Sequence, residues 1–334
     1  MTDPLSIAAI GFWHVHASDY ATAAQEHPGT RLVAVWDDDR DRGREAAAAY
    51  GVEFAADLDE LLARPELDGV TITTATNRHR DVILRAIAAG KHVFTEKVLA
   101  ATVAEAEELI SAAAAAQVAL VVSLPRLYDG YTRAIERLID AGTLGTLAST
   151  RVRLAHDGWA AGWLPERFGD PEAALGGAFI DLGCHPVYLT RLFHRADPLT
   201  VSATYGRITG RAVEDHAVVV EGFPGGAIGV LETSVVATPH AFTIELRGTA
   251  ASAVYDGERL LLSTAGDADG VDGAATGWTE LPVPDGLPGA FAEWVGRIHD
   301  GTVAEDNLRH ALELTRVVEA ANSSASSGCV VPLR

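Results

Sequence analysis

The run Ala89-Gly90-Lys91-His92-Val93-Phe94-Thr95-Glu96-Lys97 reads as a helix end, a glycine stop, a short apolar strand and a Glu-Lys pair where the strand runs out. Gly90 is the residue type expected just past a helix C-terminus. Lys91 and Lys97 are the only lysines among 26 basic residues, so this chain uses arginine almost wherever it places a positive charge. Arginine stays protonated, whereas lysine can give up its proton when desolvated. Lys97 is therefore a candidate acid/base group; the alternative is an ordinary surface lysine.

Working outward, the same strand–helix rhythm extends in both directions. Ser6–Ile10, Arg31–Trp36, Gly69–Thr73, Val93–Thr95 and Val118–Ser123 read as strands. Ala17–Gln25, Arg40–Tyr50, Asp57–Ala63 and Arg78–Ala89 read as helices, and Thr102 with Glu105 opens another through a capping box. Continuously apolar strands alternating with helices predict a parallel sheet covered on both faces. After Ser123 the rhythm changes. A helix at Asp129–Ala141, a strand at Thr146–Leu154, a Trp- and Gly-rich loop and a helix around Asp181–Phe193 lead into a run of strands. These are Leu199–Tyr205, Ala217–Glu221, Ala227–Thr233, Ala241–Arg247, Val254–Tyr255 and Leu260–Ser263, with a hairpin turn at Phe223-Pro224-Gly225-Gly226. Thr264–Pro284 reads as an exposed loop, Ala290–His299 and Glu305–Ser323 as helices, and Val330–Leu333 as a closing strand. The expected fold is an α/β Rossmann domain with a mostly parallel sheet over 1–123, then an α+β domain with a large, mainly antiparallel sheet over 124–334.

Composition bounds the function. Hydrophobic residues make up 48% and charged residues 22% of 334, the range of a globular protein of about two domains. No apolar run reaches the ~18 residues of a membrane span, and Met1-Thr2-Asp3-Pro4 lacks the basic start of a signal peptide. A formal charge of −20 argues against nucleic-acid and membrane partners. Two cysteines, Cys184 and Cys329, make no disulfide framework, so a cytoplasmic location is expected.

Gly11 to His16 follows the first strand, where a dinucleotide's pyrophosphate meets a helix N-terminus. Of Gly-x-Gly-x-x-Gly only Gly11 is present; Trp13 and His16 stand at the other glycine positions. Asp37, after the second strand, is placed to accept from an adenosine ribose, which favours NAD over NADP; capping the next helix is an equal alternative. Farther on, Asp181 and His185 are four apart in Gly176-Gly177-Ala178-Phe179-Ile180-Asp181-Leu182-Gly183-Cys184-His185, so a helix puts both on one face. A carboxylate there can tune an imidazole base, or the pair can simply tie the helix down. Gly177 and Gly183 allow close approach of a neighbour, and a zinc site through Cys184 and His185 lacks a suitably spaced third ligand.

These stretches together resemble the glucose–fructose oxidoreductase / inositol dehydrogenase (Gfo/Idh/MocA) family over nearly the whole chain. The resemblance rests on Leu58–Thr73, on Ala89–Lys97, on Arg133–Gly145 with its ending Ile-Asp-Ala-Gly-Thr-Leu-Gly, on Gly176–His185, and on Ser324-Ala-Ser-Ser-Gly-Cys-Val-Val. It implies an enzyme moving hydride between NAD and a secondary alcohol of a sugar or cyclitol, with the second domain binding substrate and forming a homo-dimer or homo-tetramer through its sheet. It places Lys97, Asp181 and His185 at catalytic and substrate-binding positions. His185 would be the base, Lys97 would hold the hydroxyl and Asp181 would orient them; some members give the base role to lysine. The cofactor side would comprise Gly11, Phe12, Trp13, His14 and Asp37, then Thr74, Ala75, Glu96 and Lys97. Three departures fall on that side: the glycine loop, Glu96-Lys97-Val98 for Glu-Lys-Pro, and Thr74-Ala75-Thr76 for Thr-Pro-Asn. Trp13, His14 and His16 then either line the cleft or serve as packing and surface. Arg126, Arg153, His156, Trp159, Trp163 and Tyr188 are candidates for a sugar pocket, with Arg126 and His156 foremost. The resemblance also leaves open a regulatory protein without turnover, and a redox-neutral enzyme that keeps NAD bound and cleaves a glycoside.

Overall fold

The computed structural model describes residues 3–264 and 277–333. They form two compact units, one running to Leu124 and including Pro288–Thr315, the other comprising Pro125–Leu287 and the chain from Arg316 onward.

In the first unit, β1 (Leu5–Ile10), β2 (Thr30–Trp36), β3 (Glu53–Phe54), β4 (Gly69–Ile72), β5 (His92–Thr95) and β6 (Leu120–Val122) form a parallel sheet in the order β3-β2-β1-β4-β5-β6. The connections run through α1 (Ala17–Glu26), α2 (Arg40–Tyr50), α3 (Leu58–Leu62), α4 (His79–Ala88) and α5 (Val103–Ala116). The strand centres are apolar because both faces are covered: Ile7, Ile10, Val70, Ile72 and Val93 are fully buried. Strand order reverses between β1 and β4, and ligands of such sheets bind at the C-terminal strand ends beside that point. Asp39, Asp57 and Thr102 cap α2, α3 and α5 with their side chains, as their residue types dictate. β3, with two residues, is too short to leave a periodic signal and was not expected.

The second unit contains α6 (Gly130–Asp140), β7 (Leu147–Ala155), α7 (Pro171–Ala174), a π-helical turn at Phe179–Gly183 and α8 (Cys184–His194). The strands β8 (Thr200–Gly206), β9 (His216–Gly222), β10 (Ile228–Ser234), β11 (Ala241–Gly248), β12 (Ala251–Tyr255), β13 (Leu260–Thr264) and β14 (Thr279–Leu281) follow, and β15 (Val331–Pro332) closes the edge against β8. The nine-stranded order is β14-β13-β12-β11-β7-β10-β9-β8-β15. Among the described residues only the β7–β10 pair of this sheet is parallel: the chain leaves β7 through α8 and re-enters at β8, so β10 arrives beside β7 in the same direction. Alternation along the strands separates a buried face (Val152, Leu154, Val219, Leu231), with α8 packed on β7 and β10, from a face showing Val218, Val220 and Ile228. β14 lies within the expected Thr264–Pro284 loop, whose residues 265–276, like Met1 and Thr2 of the expected N-terminus, lie outside the described residues.

After the second unit's strands the chain returns to the first. In α9 (Ala290–Asp300) the Trp294 indole N–H donates to the Ala119 carbonyl at 3.3 Å, and its ring packs on Phe94 and Phe291. In α10 (Glu305–Ser327) the Asn307 amide pairs with both the N–H and the C=O of Val122 at 2.9 Å. The expected division assigned all of 124–334 to the second domain. Residues 288–315 instead belong with the first, because β6 would otherwise present an uncovered edge.

Candidate functional site

At the end of β1, Gly11 has φ +83°, and a Cβ there would lie 2.7 Å from the Thr74 backbone nitrogen after β4. Only glycine fits. The rest of the turn is held by its neighbours: Phe12 N–H donates to Asp37 Oδ2 at 2.6 Å and His14 N–H to the Thr73 carbonyl at 3.1 Å. The Thr74 hydroxyl is buried without a hydrogen-bond partner among the described residues, and Ala75 beside it is also buried. A bare turn, a helix N-terminus and an unused hydroxyl at the reversal point fit a dinucleotide.

Asp37 is engaged by neighbouring groups of the protein. Its Oδ2 accepts from Phe12 N–H and Arg42 Nε, and its Oδ1 from Asp39 N–H and Arg42 Nη2, at 2.6–2.9 Å. All four lone-pair sites are thus engaged within the protein. The capping of α2 falls to Asp39. In this arrangement the carboxylate braces the glycine turn, and a ribose would have to displace Arg42 to reach it.

Lys97 is not a surface lysine: its side chain is 2% exposed, and its Nζ lies 3.9 Å from Glu96 Oε1. Lys91 has a structural task, donating to the Arg64 and Leu67 carbonyls. Glu96 is fully buried. Its Oε2 accepts from the Tyr20 hydroxyl, itself hydrogen-bonded to Ser123 Oγ, and pairs with His16 Nδ1 at 3.2 Å and His14 Nδ1 at 3.9 Å. Burial pushes the Glu96 carboxyl up, but the charges of His14, His16 and Lys97 outweigh it and hold the group well below the ordinary carboxylate range. His79, buried under this turn, donates from Nδ1 to the Val98 carbonyl at 2.8 Å, and the Lys97–Val98 peptide is cis. Trp13 and His14 are buried, while His16 is half-buried.

In the second unit, Glu214 organises the approach to Asp181. Its Oε1 accepts from Gly177 and Phe179 N–H at 2.9 and 3.0 Å, and its carbonyl from Ala178 N–H at 2.9 Å. A Cβ on Gly177 would lie 2.0 Å from that carbonyl oxygen, and one on Gly183 2.3 Å from the Phe179 ring. Asp181 sits in the π-helical turn rather than in the regular helix that its spacing predicted, and α8 begins only at Cys184. His185 is buried, with Nδ1 2.7 Å from the Tyr188 hydroxyl, which also accepts from Arg126 N–H at 3.2 Å. Holding Nδ1 fixes the orientation of the ring.

The expected sugar-pocket residues divide. His156 stacks near Trp163 (4.6 Å between centroids) and His240 (6.2 Å). Burial lowers its pKa, opposed by the charge of Asp181, so these two are electrostatic neighbours. Asp157 links His240 Nε2 (2.7 Å) and Trp163 Nε1 (3.1 Å), and Trp163 is exposed. Four others serve elsewhere. Arg126 lies over Phe242 at 4.2 Å and bonds Tyr131. Arg153 pairs with Glu232 at 2.8 Å on the face away from α8. Trp159 is buried under Arg211. Tyr188 is fully buried, orienting His185 rather than lining a pocket. Tyr20, Glu214 and His240 escaped the sequence reading, because nothing in their spacing distinguishes them from ordinary polar residues.

Sequence and structure comparisons identify the family of this fold. Residues 5–124 match the model of an oxidoreductase family with an NAD-binding Rossmann fold, and residues 132–254 match the GFO/IDH/MocA C-terminal domain. The chain therefore belongs to the Gfo/Idh/MocA family, and its first unit is an NAD-binding Rossmann domain. It is 28% identical to a scyllo-inositol 2-dehydrogenase (NAD(+)) of Bacillus subtilis over 74% of this chain and 71% of that one. It is 29% identical to a trans-1,2-dihydrobenzene-1,2-diol dehydrogenase of Mus musculus over 66% and 65%. The matched region thus spans about two thirds of those relatives' lengths. The structure of GenD2 from gentamicin A biosynthesis in complex with NAD superimposes with a TM-score of 0.84 at 26% identity, covering 100% of this chain and 97% of that one. Among the described residues no helix is long and apolar enough to cross a membrane.

Proposed function

We propose that this protein is an NAD-dependent oxidoreductase that moves hydride between nicotinamide and a secondary hydroxyl of a sugar, sugar derivative or cyclitol. The observation that carries this reading is the buried Lys97, beside a buried carboxylate at the end of β5 in an NAD-binding domain. NAD, when bound, supplies the hydride acceptor. In the oxidative direction the Lys97 ammonium holds the substrate oxygen and stabilises the alkoxide that develops, while His185 Nε2 takes the hydroxyl proton. That role uses the tautomer in which His185 Nδ1–H donates to Tyr188. Asp181, near His156, orients the polar end of the substrate, and the exposed Trp163 offers a face for the apolar side of a sugar ring. The kinship with inositol and diol dehydrogenases supports the substrate class.

The protein would work in the cytoplasm, consistent with its lack of disulfides. It would pair with copies of itself through the sheet face bearing Val218, Val220 and Ile228, which are 39–46% exposed. An NADH fluorescence titration should saturate, and a panel of sugars and cyclitols with NAD should yield NADH for at least one member. Absence of saturable NADH binding would refute the proposal.

A further inference from the structure

Two imidazoles and a carboxylate converge in the first unit. His14, His16 and Glu96 each bring a donor atom within 4.8 Å of the others, the one such cluster among the described residues. The β1–α1 turn supplies the histidines. His16 N–H donates to His14 Nδ1 at 3.2 Å, which folds the turn so that the rings lie 4.6 Å apart. Glu96 comes from the end of β5 and is fully buried; its Oε2 faces both imidazoles, while Oε1 has no hydrogen-bond partner among the described residues and lies 3.9 Å from Lys97 Nζ. The Tyr20 hydroxyl donates to Oε2 and fixes the carboxylate's orientation, the kind of outer contact that metal-ligating carboxylates have. His16, whose side chain is 34% exposed, leaves a way in.

We propose that His14, His16 and Glu96 bind a borderline divalent transition ion of the zinc class. Two nitrogens and one carboxylate oxygen are the donor set such ions take, whereas magnesium and calcium want oxygen alone. Zinc bonds of ~2.0–2.1 Å place donors about 3.4 Å apart, so the widest donor spacing must contract by up to about 1.4 Å on binding. The half-exposed His16 ring is the group able to move. The site also gives a reason for histidine at two places in a turn where the dinucleotide fingerprint leaves room for almost any residue or asks for glycine.

The test uses untagged, chelator-treated full-length protein titrated with Co²⁺, whose visible spectrum reports coordination. The wild type should bind one equivalent, displaced by Zn²⁺. Affinity should fall at least tenfold in each of His14→Ala, His16→Ala and Glu96→Gln. X-ray absorption of the zinc-loaded wild type, which needs no variant to fold, should show imidazole and oxygen ligands. No visible bands in excess Co²⁺, bands that survive in the His14→Ala/His16→Ala protein, or sulfur in the coordination shell would each overturn the site. Glu96 also lies beside Lys97, so cobalt uptake and NADH binding are read separately. A protein that oxidises a sugar but takes up no cobalt removes only the metal site, and one that binds cobalt but not NADH removes only the oxidoreductase reading.

Discussion

The β1–α1 turn and the Gly176–His185 stretch behave in opposite ways. In the turn the sequence fingerprint is mostly lost, yet the backbone keeps the form of a nucleotide-binding turn. In the other stretch the motif is intact, yet the helix it specifies is irregular. The difference lies in what each glycine meets. Gly11 faces the Thr74 backbone and is irreplaceable, whereas Trp13 and His16 lack the left-handed φ that would favour glycine. Gly177 and Gly183 both face atoms closer than any Cβ tolerates, so that motif is a steric requirement of the fold as well as a signature.

The support beneath the second region offers the largest effect. Glu221 on β9 is fully buried on the α8 side, and neither of its oxygens has a partner among the described residues. Burial pushes its carboxyl up to about 8. As pH rises from about 4.5, the unfolded chain ionises while the folded one does not, so stability falls until the pH passes the folded value and then levels off. The whole shift corresponds to something on the order of 4–5 kcal/mol. Urea unfolding of the wild type and Glu221→Gln should therefore diverge from about pH 5 to about pH 8, the variant losing less. Parallel profiles would remove the claim that this carboxyl is held neutral.

Next come the glycines. Gly177→Ala forces a Cβ onto the Glu214 carbonyl and should destabilise by about 3 kcal/mol or more. Gly11→Ala combines a positive φ with a backbone clash and should cost about 2–3 kcal/mol together with NADH binding. His16→Gly, which restores the third fingerprint glycine, should cost about 1.5 kcal/mol, since it removes a half-buried imidazole from the buried Glu96 carboxylate. Melting temperatures check all three, and equal losses at Gly11 and His16 would erase the contrast. The smallest effect concerns orientation: Tyr188→Phe should lower kcat roughly tenfold, about 1.4 kcal/mol, and shift its pH profile while leaving NADH affinity intact. An unchanged pH profile would mean that the hydroxyl does not hold His185.

The parallel sheet was legible because strands buried on both faces have runs of apolar residues at their centres, and the second sheet because its strands follow one another without helices. β3 and β14 were not, being two and three residues long. The return of α9 and of the first half of α10 to the first unit rests on single contacts such as Trp294–Ala119 and Asn307–Val122, which have no periodicity to read. At the candidate site, the scarcity of lysine singled out Lys97, and the structure shows it buried. The use of Asp37 as a brace for the turn was hidden, because it depends on where Arg42 points.

The account stands or falls on Lys97 acting in hydride transfer within a protein that still binds its cofactor. Rapid mixing of NAD and a responsive sugar with wild type and Lys97→Ala, followed by NADH absorbance, reads this directly. The variant should form NADH about 10²–10⁴-fold more slowly while binding NADH within a few-fold of wild type. NADH formation at the unmutated rate would contradict the account.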